Sequence, residues 1–147
     1  MREIVYLPGA QRFSDGALLV LRMVVGSFLV WGVWDNIVSA ERMQEFVAFL
    51  TKFRFPAPEF MAPLSVWVQF FVGLGFITGL LTRWAGIFCA INFIVAIAMV
   101  DRFGGIRSAF PSACLVAIGL YLATYGAGRL SLDALLARRP SPASSGK

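Results

Sequence analysis

Few side chains in this sequence can do chemistry, and most of those lie inside long apolar runs. Arg22 sits within "ALLVLRMVVGSFLVWGVWDN" (residues 17–36), Gln69 within "SVWVQFFVGLG" and Asn92 within "IFCAINFIVA"; Asp101, Arg102 and Arg107 follow. Polar groups are costly to keep in lipid, so each marks either a site or a structural tie. A guanidinium cannot shed its charge, which leaves Arg22 three outlets: a partner, a reach back to water, or a site. Asp133 is the only acidic residue after Asp101 and is the candidate partner. Snorkelling over roughly 8–10 Å of helix is the alternative.

Toward the opposite end of the same apolar runs lies a second polar layer, made of Asp35, Asn36, Gln69, Asp101, Arg102 and Arg107. Trp31, Trp34 and Trp67 accompany it, and tryptophan at this depth is ordinarily an interfacial anchor. Gln69 lies about a turn and a half inside its run, where an interhelical hydrogen bond is the usual role. Trp31, Trp34, Asp35, Trp67 and Gln69 together are the candidate ligand-binding group. The two cysteines, Cys89 and Cys114, fall about 10 Å apart along the membrane normal in antiparallel helices. That exceeds the reach of a disulfide, so they read as two small core residues.

Other chemistries are missing. Histidine is absent, which removes haem ligation by His and His-based zinc sites, and no metal site is expected. No GxxxxGK[ST], CxxC, HExxH or GxSxG pattern occurs. No nucleophile–base pair suggests itself, so electrons for any redox role must come from a bound small molecule or a partner.

The elements that carry these residues are those of a membrane protein. Of 147 residues 59% are hydrophobic and 14% charged, against about 25% charged in soluble chains. The mean hydropathy is +0.76. Four runs, about 17–38, 63–82, 84–100 and 109–125, are each close to the ~20 residues that cross a bilayer. They are too long and too uniformly apolar for barrel strands, so the expected fold is an all-α, four-helix transmembrane bundle. The first run has no small-residue cleavage pattern and reads as a retained helix.

Between the first two spans, "SAERMQEFVAFLTKF" places Met43, Phe46, Val47, Leu50 and Phe53 on one face, with Ser39 as N-cap. This is an amphipathic interfacial helix over about 40–53. Residues 1–16 read as an N-terminal cytoplasmic segment, 17–136 as the membrane domain and 137–147 as a disordered tail. The net charge of +5 resides in bases that flank apolar runs, which points to lipid headgroups rather than nucleic acid. Arg2, Arg12, Arg83, Arg129, Arg138, Arg139 and Lys147 share one side; Arg42, Lys52, Arg54, Arg102 and Arg107 share the other. Seven against five places both termini in the cytoplasm. Glycines at 26, 32, 73, 75 and 79 allow close helix packing.

Three stretches, "LLVLRMVVGSFLVWG", "VGLGFITGLLTRWAG" and "GAGRLSLDALL", resemble the opening, second-span ending and closing signatures of the DoxX family. The resemblance runs from Ala17 to Leu136. It implies a multi-pass protein of the bacterial inner membrane. Members look like membrane subunits of quinone-linked redox systems, thiosulfate:quinone oxidoreductase among them, or of oxidative-stress complexes. Carried over, the family's arginine falls on Arg22, its turn arginine on Arg83, and its closing residues on Arg129, Ser131 and Asp133. With Asp133, these arginines are the expected structural polar clamp. The family commonly has glutamate where Gln69 stands, and a basic residue or histidine near Trp34 and Asp35. Glutamine hydrogen-bonds but does not titrate, so a proton-transfer role at that position is not open to this chain. The expected function is a quinone-binding membrane subunit, with membrane lipid and other membrane protein subunits as partners; a non-catalytic accessory or assembly subunit is the alternative. Self-association into a homo-oligomer is also open.

Overall fold

The computed structural model describes residues 12–137. The N-terminal segment up to residue 11 and the tail from 138 onward, where the sequence places disorder, lie outside the described residues. Four helices are long and apolar enough to span a membrane: α1 (Ser14–Val38), α3 (Pro58–Thr78), α4 (Thr82–Met99) and α5 (Ile106–Tyr125). Between the first two lies α2 (Ala40–Lys52); a 3-10 turn covers Asp101–Gly104, and the short α6 (Leu132–Ala137) closes the described chain. Among the described residues there is no strand, and the fold is an all-α membrane bundle.

Both α3 and α5 begin earlier than hydropathy places them, at Pro58 and Ile106. Pro58 opens α3, where the missing N–H has no helical partner to lose. Pro63 and Pro111 then sit inside their helices, each forgoing one backbone hydrogen bond. The "FPAPEFMAP" stretch (residues 55–63) therefore contains the start of the second span. At the other end α3 stops at Thr78, because Gly79 takes a left-handed conformation (φ 68°) and its N–H caps Gly75 O at 2.9 Å.

The closest packing is between α1 and α3 and between α4 and α5, and each crossing is made by a pair of glycines. A Cβ on Gly26 would meet Gly73 O at 2.7 Å, and one on Gly73 would meet Gly26 O at 2.8 Å. Likewise a Cβ on Gly119 would meet Gly86 O at 2.8 Å and Ala90 N at 3.0 Å. Backbone lies against backbone at both crossings, the close approach that small residues permit in lipid. These contacts decide which face of α1 turns inward: Leu18, Arg22, Val25, Gly26, Leu29 and Val33 are buried.

The amphipathic helix forms as its pattern dictates. Ser39 Oγ accepts the Arg42 N–H at 3.3 Å as N-cap. Leu50 is buried, and Met43, Phe46 and Val47 are half-buried against α1 and α3. Glu41, Arg42 and Glu45 are exposed, the last two paired at 3.0 Å.

Candidate functional site

Two polar assemblies emerge, one at each end of the bundle. The first surrounds Arg22, which is 1% exposed and projects from α1 into the end where α3, α4 and α6 meet. Its Nε donates to Phe76 O at 2.9 Å, and its Nη1 to Ala127 O and to Leu130 O, the latter at 3.0 Å. Its Nη2 reaches Ile77 O at 3.4 Å. Phe76 and Ile77 belong to the last turn of α3, whose carbonyls lack helical partners and carry the negative end of the helix dipole. Arg22 thus ties α1, the end of α3 and the segment after α5 through main-chain acceptors.

Asp133 does not bond that guanidinium directly. Among the described residues no ion pair joins the two; Asp133 Oδ1 and Oδ2 instead accept the N–H groups of Leu81 at 2.9 Å and Thr82 at 3.1 Å. Both oxygens are taken by the open N-terminus of α4, where negative charge is favoured. Arg83 closes α5 in the same manner, donating to Thr124 O at 2.8 Å and Ala123 O at 3.3 Å. Among the described residues Arg129 enters only through its backbone N–H, which Asp15 Oδ1 accepts at 3.0 Å. The end of α3, the start of α4 and the end of α5 are therefore each capped by a charged side chain from another element. Gly79 fits between them because a Cβ there would strike Arg22 Nη2 and lie 2.6 Å from Ser131 Cβ. Thr82 Oγ1 is the one buried side-chain oxygen without a partner among the described residues.

The second assembly lines a cavity of about 500 Å3 under α2. Phe46, Phe49 and Leu50 of α2 cover it, Leu64, Ser65, Val68 and Gln69 come from α3, and Phe88 and Asn92 from α4. Asp101 and Ser112 add a polar rim. Gln69 Nε2 donates to Ser65 Oγ at 3.2 Å, and Ser65 Oγ donates to Asn92 Oδ1 at 2.9 Å. Ser65 and Gln69 stand four apart on one helix face, which is why they meet. Asn92 reaches them because the stripe of α4 below it, Thr82, Ala85, Gly86, Cys89 and Ala90, is small and buried. Among the described residues nothing bonds to Gln69 Oε1 or Asn92 Nδ2, which leaves an acceptor and a donor toward the cavity. Asp101 Oδ2 accepts the Ser112 hydroxyl at the rim. An apolar chamber with a few convergent polar groups is the ordinary form of a small-molecule site.

Of the five ligand-binding residues read from sequence, only Gln69 lines this cavity. Trp31 is 83% exposed; Trp34 and Asp35 are also exposed, all three on the outward side of α1. The Gly26–Gly73 crossing turns the Leu18–Val33 stripe inward and so carries them out. Trp67 stacks beside Phe71 (5.8 Å between centroids) on the outer wall between α3 and α4. Sequence reasoning missed Ser65 and Ser112. Spacing from Gln69 could have found Ser65, whereas nothing local marks Ser112. Cys89 is buried and its thiol points to Leu115 O at 3.7 Å, while Cys114 is only half-buried; both are free. Among the described residues no three of His, Cys, Asp and Glu gather as metal ligands would.

Four spanning helices, charged side chains capping their ends and a chamber between α2, α3 and α4 define a polytopic α-helical membrane protein. The family model for DoxX matches residues 17–102, and the chain belongs to the DoxX family. It is also similar to inner membrane protein YqjF of Escherichia coli (strain K12), at 27% identity over 133 residues, 88% of this chain and 98% of that one. No solved structure matches. The match to the family model ends before "GAGRLSLDALL", so the partners that this stretch gives to Arg22 (Ala127 and Leu130) and to the start of α4 (Asp133) lie beyond it.

Proposed function

We propose that this chain is the membrane subunit of a quinone-linked redox system of the bacterial inner membrane, with the cavity under α2 receiving the quinone head. The observation that carries this reading is the Gln69–Ser65–Asn92 ladder set in an otherwise apolar chamber of about 500 Å3. A quinone ring is flat, apolar and neutral, and its two carbonyl oxygens need donors. The Asn92 amide can supply one and the Gln69 amide, on turning, another; the phenylalanines of α2 offer a surface for the ring. A neutral ladder also suits a neutral head, since a fixed charge inside would demand a counter-ion. The family resemblance supplies the redox context, and electrons arrive from a partner of the same system. The inner membrane protein of Escherichia coli to which the chain is similar supports an inner-membrane location, and the charge bias favours both termini in the cytoplasm.

The test is to extract the full chain in mild detergent and measure bound quinone by chromatography, for the native protein and for Gln69→Leu and Asn92→Leu. Retained quinone that falls at least about tenfold in either variant is the expected result. Stoichiometric partner chains with no quinone would overturn it in favour of an accessory subunit.

A further inference from the structure

A second cavity of about 650 Å3 runs along the outer face between α3 and α4. Its walls are Trp67, Phe71, Leu74, Leu80 and Trp84, and its floor is opened by Gly75 and Ala85, which have almost no side chain. A Cβ on Gly75 would already lie 3.1 Å from that of Ala85, so the helices are close beneath the groove and splayed above it. Leu64, Val68 and Phe88 line both cavities, which makes the groove and the polar chamber neighbours through one shared wall of three side chains. The two differ in chemistry. In the groove, indoles apart, the only polar side chain is Thr78, and its hydroxyl already donates to Leu74 O at 2.8 Å and accepts from Leu80 N at 3.3 Å. The chamber keeps a donor and an acceptor free on Asn92 and Gln69.

We infer that chamber and groove are one bipartite site for a long-tailed lipid-like molecule, whose hydrogen-bonding head lies by Gln69 and Asn92 and whose apolar tail follows the α3–α4 groove. From Leu64 to Thr78 the groove follows about 20 Å of helix, a length that suits a polyprenyl or similar chain rather than a short substituent. The tail passes the shared wall at Leu64, Val68 and Phe88, all apolar, so no polar group is stripped of a partner on entry. This inference rests on the proposed head site and adds to it a requirement on the tail.

The experiment compares two probes on the full chain in detergent: a polyprenyl-tailed benzoquinone, and the same ring with methyl in place of the tail. The wild-type chain is expected to hold the tailed probe at least about tenfold more tightly. Leu74→Trp, which fills the groove, should bring the tailed probe to the level of the tail-less one and leave the latter within about twofold. Leu80→Trp serves the same purpose should Leu74→Trp fail to elute as a folded, monodisperse protein. Gln69→Leu should weaken both probes. Equal binding of the two probes overturns the tail groove and leaves the head site standing; it is the outcome for a groove filled by bulk phospholipid chains or a second copy. Tailed-probe affinity unchanged by both groove variants overturns it too. Binding lost on filling the groove but untouched by Gln69→Leu overturns the head site, and no binding of either probe overturns both.

Discussion

Arg22 holds its place through four carbonyl oxygens, and among the described residues no carboxylate bonds to it directly. Removing it leaves Phe76, Ala127 and Leu130 carbonyls in an apolar interior with no donor. Arg22→Leu should therefore lower stability by at least about 3 kcal/mol, read by denaturant unfolding in detergent. Arg22→Lys should not restore it, because one ammonium lacks the fork that serves acceptors on both sides. Unchanged unfolding in Arg22→Leu would show that the carbonyls find other donors. Thr82 presents the converse case, a fully buried hydroxyl with no partner among the described residues. Thr82→Val keeps the shape and the backbone N–H that Asp133 accepts, so it should leave stability unchanged or raise it by about 1 kcal/mol. A clear loss would mean that the hydroxyl has a partner in the membrane.

At the scale of elements, two glycine crossings set the bundle: Gly26 on Gly73 and Gly86 on Gly119. Gly73→Val and Gly119→Val each force backbone apart where it is in contact, and both should reduce the yield of folded, monodisperse protein severely. Gly32 gives the control, since a Cβ there meets nothing within 4 Å. Gly32→Ala should be tolerated, and even slightly stabilising through its helix propensity. Equal yields for Gly73→Val and Gly32→Ala would refute the crossing. Sequence density of glycine in the spans was legible, and so was α2 from its stripe and its Ser39 cap. Which glycines pair was not, because pairing depends on the depth and rotation of two helices at once.

For the whole molecule, the ends of the bundle differ in kind. One is closed by charged side chains that cap helix termini across the chain; the other opens into the chamber under α2. Asp133→Ala removes both acceptors for the first turn of α4 and should cost about 1–2 kcal/mol while leaving quinone retention per folded molecule intact. A folded Asp133→Ala protein that no longer retains the proposed quinone would instead couple the two ends. Topology is checked by labelling single cysteines introduced at Arg129 and at Lys52 in a Cys-free background. Labelling from the cytoplasmic side only at position 129 is expected, and the reverse pattern would invert the bundle.

The sequence alone determined the solvent of this protein, the number of its spans and the interfacial helix, because these follow from local hydropathy, length and period. It also marked Arg22, Asp133 and Gln69 as residues that need partners. Only the tertiary structure decided who those partners are. Asp133 serves the start of α4 rather than Arg22, since helix ends carry unmet N–H groups that are invisible until the helices are placed. Trp31, Trp34 and Asp35 share a layer with Gln69 in sequence, yet they face outward, since the Gly26–Gly73 contact fixes the rotation of α1. Depth can be counted along a chain, but the direction a side chain points is set by the neighbour its helix packs against.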